Sequence, residues 1–339
     1  MPCQATCGIK GDIISNEVLM LPPEIANIVK LAGKKTRQHY VFQHYLRAWA
    51  VDGKVWTRRR DNKKVFNAGT NKVAAERHFY KLQPVTTEDL TLIRLLLIND
   101  APFYVKERCE TLIHNMTVPL AIKRAIDPAN PELEEISAWL DEHIINAEEN
   151  LQCDVESGLI QALDDMLNGK TDFFLESDPA QEFIHAICFQ YMRTKKMRDG
   201  IEAIGPTPVP GSDMKRCGNL YMLISAMRFA DALYRRRAQY KIVILDNTTD
   251  IPFITGDQPI FNIHATFRSG AMPERLELFY PLSPKRAMAL LELATERSTV
   301  LSMNEVQQFN EMVAWNSHEQ VFSNSGVYLE GLEMDGPPA

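Results

Sequence analysis

Three well-separated segments carry residues that could build an acid–base or anion-binding site. The first, "HYVFQHYLRAWA", begins at His39, the second, "QYMRTKKMR", contains Arg193, and the third, "ITGDQPI", contains Asp257. A histidine can move a proton near pH 7, and an arginine can bind a carboxylate or phosphate through two N–H groups. An aspartate at the end of a strand can act as an acid or orient a base. We therefore take His39, Arg193 and Asp257 as candidate catalytic residues.

Each of these residues also has a simple structural interpretation. His39, expected just before a helix, could hold the chain there through a bond to the backbone. Arg193 could form a buried ion pair with Asp257, or Asp257 could accept hydrogen bonds from its own turn. The two interpretations differ in geometry. Catalytic side chains converge in an open cleft, whereas a structural network is satisfied away from solvent.

Polar residues next to the three candidates are predicted to contact a substrate. Gln190 lies three residues before Arg193 and four before Thr194, so these side chains can share one face of a helix. Gln43 lies one helical turn after His39. We assign Gln43, Gln190 and Thr194 as candidate substrate-binding residues.

A basic hairpin is the segment most suited to a phosphate-containing partner. "GKVWTRRRDNKKVFN" predicts two strands that turn at Asp61–Asn62, with six cations between residues 54 and 64. Strand alternation places Arg58 and Arg60 on one face with Trp56, a combination suited to phosphate contact and base stacking. We expect this hairpin to project from the protein and to bind nucleic acid or another phosphate-containing ligand. The alternative is a solvated hairpin whose charge prevents edge-to-edge pairing.

The motifs of the large cofactor- and metal-dependent enzyme classes are missing from the sequence. It contains no HExxH, no paired DxD, no His/Cys cluster with ligand spacing, no GxSxG elbow and no phosphate-binding or dinucleotide-binding glycine-rich loop. We therefore predict no metal and no cofactor.

Composition and charge favour a protein that is not embedded in a membrane. The 339 residues carry a net charge of −7, which disfavours a global polyanion-binding surface but permits a local basic patch. The segment "MPCQATCGIKGDII" lacks the basic start and apolar run of a signal peptide, and the apolar runs are too short to span a bilayer. We expect a cytoplasmic protein without membrane contact, and the oligomeric state stays open.

The elements that must position these residues follow from apolar spacing. Phe42, Tyr45, Leu46 and Trp49 recur with the spacing of one helix face and are predicted to be core. Residues 1–35 are expected to form a tail with a short helix over 22–31, and residues 36–330 one α+β domain. Within it, residues 87–239 are predicted to be helical and residues 240–324 to form an antiparallel sheet with a helix over 306–317.

Four segments in a fixed order resemble a known family. They are "QHYVFQHYLRAW", "QYMRTKKMR", "ITGDQPI" with "YPLSP", and "QFNEMVAWNSHEQVFS", and together they span about residues 38–324. This pattern resembles the prokaryotic DUF4238 family, a domain of unknown function. Gln38, Phe42 and Gly256 depart from the family's usual histidine, proline and serine. The resemblance implies that His39, Arg193 and Asp257 belong to shared motifs, and it implies a role in bacterial defence.

Two functions are consistent with these residues. The first is a hydrolase, such as a metal-independent nuclease, with His39 as acid or base, Arg193 as anion stabiliser and Asp257 as orienting carboxylate. The second is a non-catalytic binding or regulatory module, in which the same residues form a buried polar network and the hairpin provides specificity.

Overall fold

The computed structural model describes residues 37–81, 83–265 and 273–334, so the predicted tail and its helix lie outside the described residues. The helices are α1 Gln43–Leu46, α2 Thr87–Ile93, α3 Phe103–Ala125, α4 Glu134–Leu167, α5 Ser177–Met192, α6 Lys195–Glu202, α7 Met214–Arg235, α8 Met303–Asn316 and α9 Gly326–Glu330. The strands are β1 Arg37–His39, β2 Lys54–Arg59, β3 Val65–Gly69, β4 Ala75–Arg77, β5 Tyr240–Asn247, β6 Thr255–Gly256, β7 Phe261–Asn262, β8 Leu278–Ser283, β9 Arg286–Glu292, β10 Val300–Leu301 and β11 Gln320–Ser323. A helical middle followed by mainly antiparallel strands confirms the α+β class.

The strands within the described ranges form three sheets. One has the order β10-β5-β9-β8-β7, in which only β10 runs parallel to its neighbour. The second has the order β3-β2-β11-β6, and the third pairs β1 with β4. The second sheet therefore joins strands from both ends of the domain, because β2 and β11 are antiparallel neighbours although more than 250 residues separate Arg58 from its partner Val321.

The strands β8 and β9 of the five-stranded sheet are buried on both faces. Along β8, Leu278, Tyr280 and Leu282 point into a core that also contains residues of α1, α4 and α5. Phe279 points the other way, into a core that includes residues of α8 and α9. Burial on both faces explains why β8 and β9 are nearly continuous apolar runs without the alternation of a half-exposed strand. A further core lies among α2, α3 and α5–α7.

The basic hairpin forms as predicted, but it does not project. β2 and β3 pair in register, with Trp56 opposite Asn67. However, β2 is an interior strand between β3 and β11, and α9 covers one of its faces. A Cβ atom at Gly326 of α9 would lie 2.8 Å from the Trp56 ring. The prediction of a projecting hairpin is therefore wrong, because a distant strand and a C-terminal helix pack onto it.

The opening stretch "HYVFQHYLRAWA" is only briefly helical. α1 ends at Leu46 and a 3-10 turn, Arg47–Trp49, continues it. The predicted core face is confirmed, since Phe42, Tyr45, Leu46 and Trp49 are all buried. His39, however, does not adjoin a helix start, because it is the last residue of β1.

Trp49 connects this stretch to the C-terminal half of the protein. Its side chain is fully buried, and its indole Nε1–H donates to the carbonyl of Phe253 at 2.9 Å. Tyr45, on the same face, stacks on Tyr280 with 4.8 Å between ring centroids. The apolar face of this stretch therefore packs the N-terminal segment against the five-stranded sheet.

Replacing Trp49 with alanine should lower the free energy of unfolding by about 3–5 kcal/mol, because it empties a core site and leaves a carbonyl without its donor. Urea denaturation followed by circular dichroism measures the change. The matched control is Trp139→Ala on α4, where the side chain is 38 % exposed. The control should change stability by less than about 1 kcal/mol. Equal losses in the two variants would contradict the assignment of Trp49 to the core.

Candidate functional site

The side chain of Gln190 makes the backbone hydrogen bonds that a neighbouring strand would otherwise make to the segment after β1. It lies in the last turn of α5 and is 3 % exposed. Its amide Nε2 donates to the carbonyl of Tyr40 at 3.1 Å, and its Oε1 accepts from the backbone N–H of Phe42, also at 3.1 Å. A buried backbone needs such partners. The predicted substrate-binding residue Gln190 is therefore engaged with the protein's own chain.

Arg193, the residue after α5, forms further hydrogen bonds to the same backbone segment. Its Nη2 donates to the carbonyl of His39 at 2.8 Å, and its Nε is 3.4 Å from the carbonyl of Tyr40. Its Nη1 donates to Gln152 at 3.2 Å, and the guanidinium forms an ion pair with Glu156. The side chain is 4 % exposed. All three nitrogens of the guanidinium thus contact protein acceptors.

His39 meets Arg193 through its backbone, not through its ring. Its carbonyl accepts from Arg193 and from the hydroxyl of Tyr80, the latter at 2.9 Å. Burial lowers the pKa of the imidazole, and the charges of Arg37 and Arg193 lower it further, against the opposing effect of the carbonyls of residues 70–71. These effects favour the neutral form of the ring. Its Nε2 is buried and has no hydrogen-bond partner in the described part of the chain.

Asp257 is fully buried just after β6 and binds a different segment. Its carboxylate accepts three consecutive backbone N–H groups, from His318 at 2.6 Å, Glu319 at 2.7 Å and Gln320 at 2.9 Å. Burial raises the pKa of Asp257, and these three donors oppose the rise. The carboxylate caps the chain between α8 and β11. The alternative of a buried Arg193–Asp257 ion pair does not hold, because the carboxylate that pairs with Arg193 is that of Glu156.

The turn around Asp257 also leaves little room for a side chain at position 256. A Cβ atom at Gly256 would lie 1.8 Å from the Oγ of Ser317. To relieve this overlap, the Ser317 Oγ would have to leave the carbonyl of Val313, to which it donates at 2.8 Å, and the Ser317 Cβ would still lie at 3.0 Å. Glycine at position 256 and serine at position 317 therefore fit each other in this chain.

The other predicted substrate-binding residues of these segments also bind within the protein. Thr194 caps α6 and hydrogen-bonds to the Oε1 of Gln258. Gln258 in turn donates to the carbonyl of Tyr191 at 3.1 Å. Gln43 donates to the hydroxyl of Thr70 at 3.2 Å. The segments around Arg193 and Asp257 are thus joined through Thr194 and Gln258.

Asn310, in the last of the four motif segments, also forms hydrogen bonds to buried backbone. It is fully buried in α8, and its Oδ1 accepts from the backbone N–H of Ile254 at 3.0 Å. Its Nδ2 donates to the carbonyl of Pro252 at 2.8 Å. We call the group His39, Gln190, Arg193, Asp257 and Asn310 the buried network. The motif segments do come together, but the bonds of this network are to backbone and to protein side chains.

A half-exposed ion cluster beside the network was not predicted as a site. Asp199 binds Lys195 at 2.8 Å and His318 at 2.9 Å. Arg198 pairs with Glu76 at 2.9 Å and stacks over Phe79 with 4.0 Å to the ring centroid. The i,i+4 spacing of Lys195 and Asp199 in "RTKKMRD" was the available signal. The role of His318 could not be seen locally, because Asp199 is 119 residues away.

Lys196 is the most strongly shifted cation near the network. Burial lowers the pKa of its ammonium to about 8, with the nearby Arg60 adding to the fall and Asp257 opposing it. Its Nζ donates to the carbonyl of Asn316 at 2.7 Å. The pKa of its neighbour Lys195 shifts in the opposite direction. Burial alone would lower the pKa of Lys195, but the bond to Asp199 and nearby carboxylates raise it.

The two arginines predicted to contact phosphate are engaged in holding the C-terminal helices. Arg58 is 8 % exposed, and its Nη1 donates to the carbonyls of Leu329 at 2.6 Å and Glu330 at 2.8 Å. Arg60 donates to the carbonyls of Ala314 at 2.6 Å and Ser317 at 2.9 Å. The predicted binding face of the hairpin is therefore its covered face.

Exposed cations instead collect around the 3-10 turn Thr70–Lys72. Arg37 stands opposite Arg77 in the β1–β4 pair and donates to the carbonyl of Lys72 at 2.5 Å. Lys54 stands opposite Gly69, which precedes the turn. Arg47 lies four residues after Gln43, whose side chain binds the same turn. We call these five cations the basic patch: Arg37, Arg47, Lys54, Lys72 and Arg77.

Neither a metal centre nor a membrane span is found in the described part. No group of three or more His, Cys, Asp or Glu side chains there could hold a metal ion. None of the helices within residues 37–81, 83–265 and 273–334 is both long and apolar enough to cross a bilayer.

The fold and the network together define an α+β protein whose shared motifs secure buried backbone. Residues 37–326 match the family described as a protein of unknown function (DUF4238). The chain belongs to this family. No curated protein and no solved structure matches the chain.

Arg193→Met should lower the free energy of unfolding by about 3–5 kcal/mol, because it leaves the largely buried Glu156 without its cation and removes one of the two donors to each of the carbonyls of His39 and Tyr40. Arg193→Lys should recover only part of this loss, because an ammonium lacks the guanidinium fork. The control is Arg235→Met on α7, where the arginine of the ion pair is 52 % exposed. Urea titration should show less than about 1 kcal/mol for the control. A loss that small for Arg193→Met would refute its structural role.

The two neighbouring lysines should respond oppositely to pH. The unfolded chain keeps the Lys196 proton up to a pKa of 10.5, whereas the folded protein loses it near 8. Wild-type stability should therefore rise relative to Lys196→Met between pH 8 and 10.5. Lys195, with a raised pKa, should show no such rise relative to Lys195→Met in that range, since its contribution is lost only at higher pH. Urea unfolding across this range measures both differences. A pH-independent difference for Lys196→Met would contradict the prediction.

Proposed function

We propose that this protein is a non-catalytic binding module whose basic patch contacts the phosphates of a nucleic acid. The supporting observation is the segregation of charge along the chain. Residues 37–81 contain 11 Lys and Arg against three Asp and Glu, a net charge of +8 in a chain whose total is −7. A basic region on an acidic protein attracts polyanions locally, while the remaining surface repels them.

The exposure of these cations supports the proposal further. Nine of the 11 are exposed, and Arg58 and Arg60 are the two that are not. The acidic residues exposed in the same segment are Asp52 and Asp61, and Asp61 is 3.3 Å from Arg59. The basic patch thus combines five exposed cations with few neutralising carboxylates.

The extent of the basic surface points to a polymeric ligand. The basic patch lies at one end of the hairpin, and three further exposed cations lie at its tip: Arg59, Lys63 and Lys64. The strand between them spans about 17 Å at the usual rise per residue. A ligand that reaches both ends must carry several phosphates, as a nucleic acid strand does.

The buried network has a supporting role in this proposal. It holds β1 and the segment after it against α5, and this placement sets Arg37 beside Lys72 and Arg77. Specificity then resides in the hairpin and the adjoining turn, and the network provides rigidity.

The hydrolase hypothesis, including a metal-independent nuclease in bacterial defence, receives less support from the geometry. Its anion stabiliser, Arg193, already donates to His39, Tyr40 and Gln152. Its carboxylate, Asp257, already accepts three backbone N–H groups. Catalysis would require both side chains to exchange these partners for substrate.

The decisive experiment is fluorescence anisotropy with labelled single-stranded and duplex oligonucleotides of mixed sequence. Arg47→Glu/Lys54→Glu/Lys72→Glu should weaken binding at least about tenfold near 0.1 M salt and flatten the dependence of log K on log[salt] by about 2–3. The matched control is Arg124→Glu/Lys170→Glu/Lys215→Glu, which changes the net charge equally at three exposed cations outside residues 37–81. The control should retain most of the affinity.

Two results would overturn the proposal. One is an absence of binding to either oligonucleotide, or equal weakening in the control. The other is cleavage of the oligonucleotide that disappears in His39→Ala while the variant stays folded. That second result would establish the nuclease hypothesis instead.

A further inference from the structure

A groove among four helices lies apart from the elements that carry the basic patch. It has a volume of about 570 Å³ and opens between α3, α4, α5 and α7. Its size falls within the range of small-molecule sites, which often lie between helices of a bundle. Five apolar side chains form its floor: Leu112, Leu151, Val155, Phe189 and Met227.

The floor is not fully covered by the protein. Leu112, Leu151, Val155 and Met227 are half-buried, and only Phe189 is buried. Partly covered apolar side chains in a concave site favour a ligand that removes them from water. The floor therefore calls for a hydrocarbon or aromatic group.

Two side chains with N–H donors, which also line the groove, favour a negatively charged group on that ligand. Arg108 of α3 and His185 of α5 line the groove and have no hydrogen-bond or ion-pair partner among the described residues. Both line the same groove, and burial lowers the pKa of His185, with the Arg108 charge lowering it further and Asp231 opposing the fall. A guanidinium beside an imidazole N–H is suited to the two oxygens of a carboxylate.

The acidic residues nearby form no ion pair with Arg108 or His185 among the described residues. Asp231 accepts from the hydroxyl of Tyr104 at 2.9 Å and is paired with Arg235 at 2.9 Å. Glu107, the other acid lining the groove, is exposed to solvent. The exposed Arg108 and the half-buried His185 thus keep donors that a ligand can use.

We propose that this groove binds an amphipathic monocarboxylate. The apolar tail covers the floor, and the carboxylate accepts hydrogen bonds from Arg108 and His185. This site is independent of the nucleic-acid interface, since its lining residues all lie outside residues 37–81. The failure of one proposal therefore leaves the other standing.

Isothermal titration calorimetry with decanoate tests the site at concentrations below micelle formation. Wild-type protein should bind one decanoate saturably, and decyltrimethylammonium, with the same tail and opposite charge, should bind at least about tenfold more weakly. Arg108→Gln should weaken decanoate binding about tenfold, as expected for a lost charged hydrogen bond. The matched control is Arg124→Gln, an exposed arginine on the same helix that does not line the groove.

A second variant tests the floor. Leu112→Asn replaces a half-buried side chain and should weaken decanoate binding while circular dichroism shows an intact fold. The proposal is overturned if decanoate does not saturate, if decyltrimethylammonium binds equally well, or if Arg108→Gln binds decanoate like the wild type. Weakening by the Arg124→Gln control to the same extent would also overturn it.

Discussion

The structure depends on how the buried backbone from His39 to Phe42 obtains its hydrogen bonds. This segment leaves β1 and enters the core, where water cannot satisfy its polar groups. Gln190 supplies one donor and one acceptor, and Arg193 supplies further donors. An unpaired buried polar group costs about 1–3 kcal/mol, so the placement of the first segment of the domain depends on two side chains at the end of α5.

The same constraint recurs at each junction between the helical part and the sheets. Trp49 and Asn310 bind the backbone of residues 252–254, and Asp257 binds three amides at the start of β11. Residue types that often perform catalysis are used here to terminate and join chain segments. This use follows from chemistry, because a side chain with several hydrogen-bonding groups suits a buried backbone as well as a substrate.

The basic residues also divide into a buried group that binds backbone and an exposed group. Arg58 and Arg60 hold the C-terminal helices, whereas the basic patch stays accessible around the turn Thr70–Lys72. The overall acidity of the chain and its local basicity are therefore compatible. The acidic residues lie mostly outside residues 37–81, whereas the five cations of the basic patch lie within them.

The sequence by itself determined the α+β class, the hairpin, the core stripe of the opening stretch and the helical middle. These follow from apolar spacing and turn residues, which act between positions close in the chain. Only the tertiary structure decided that β2 lies between β3 and β11, that Glu156 and not Asp257 pairs with Arg193, and which hairpin cations remain exposed. Local patterns indicate which face of an element is apolar but not which distant element covers it. That choice is made by packing and hydrogen bonding between distant segments, such as β2 with β11, and it converts a predicted binding face into a buried one.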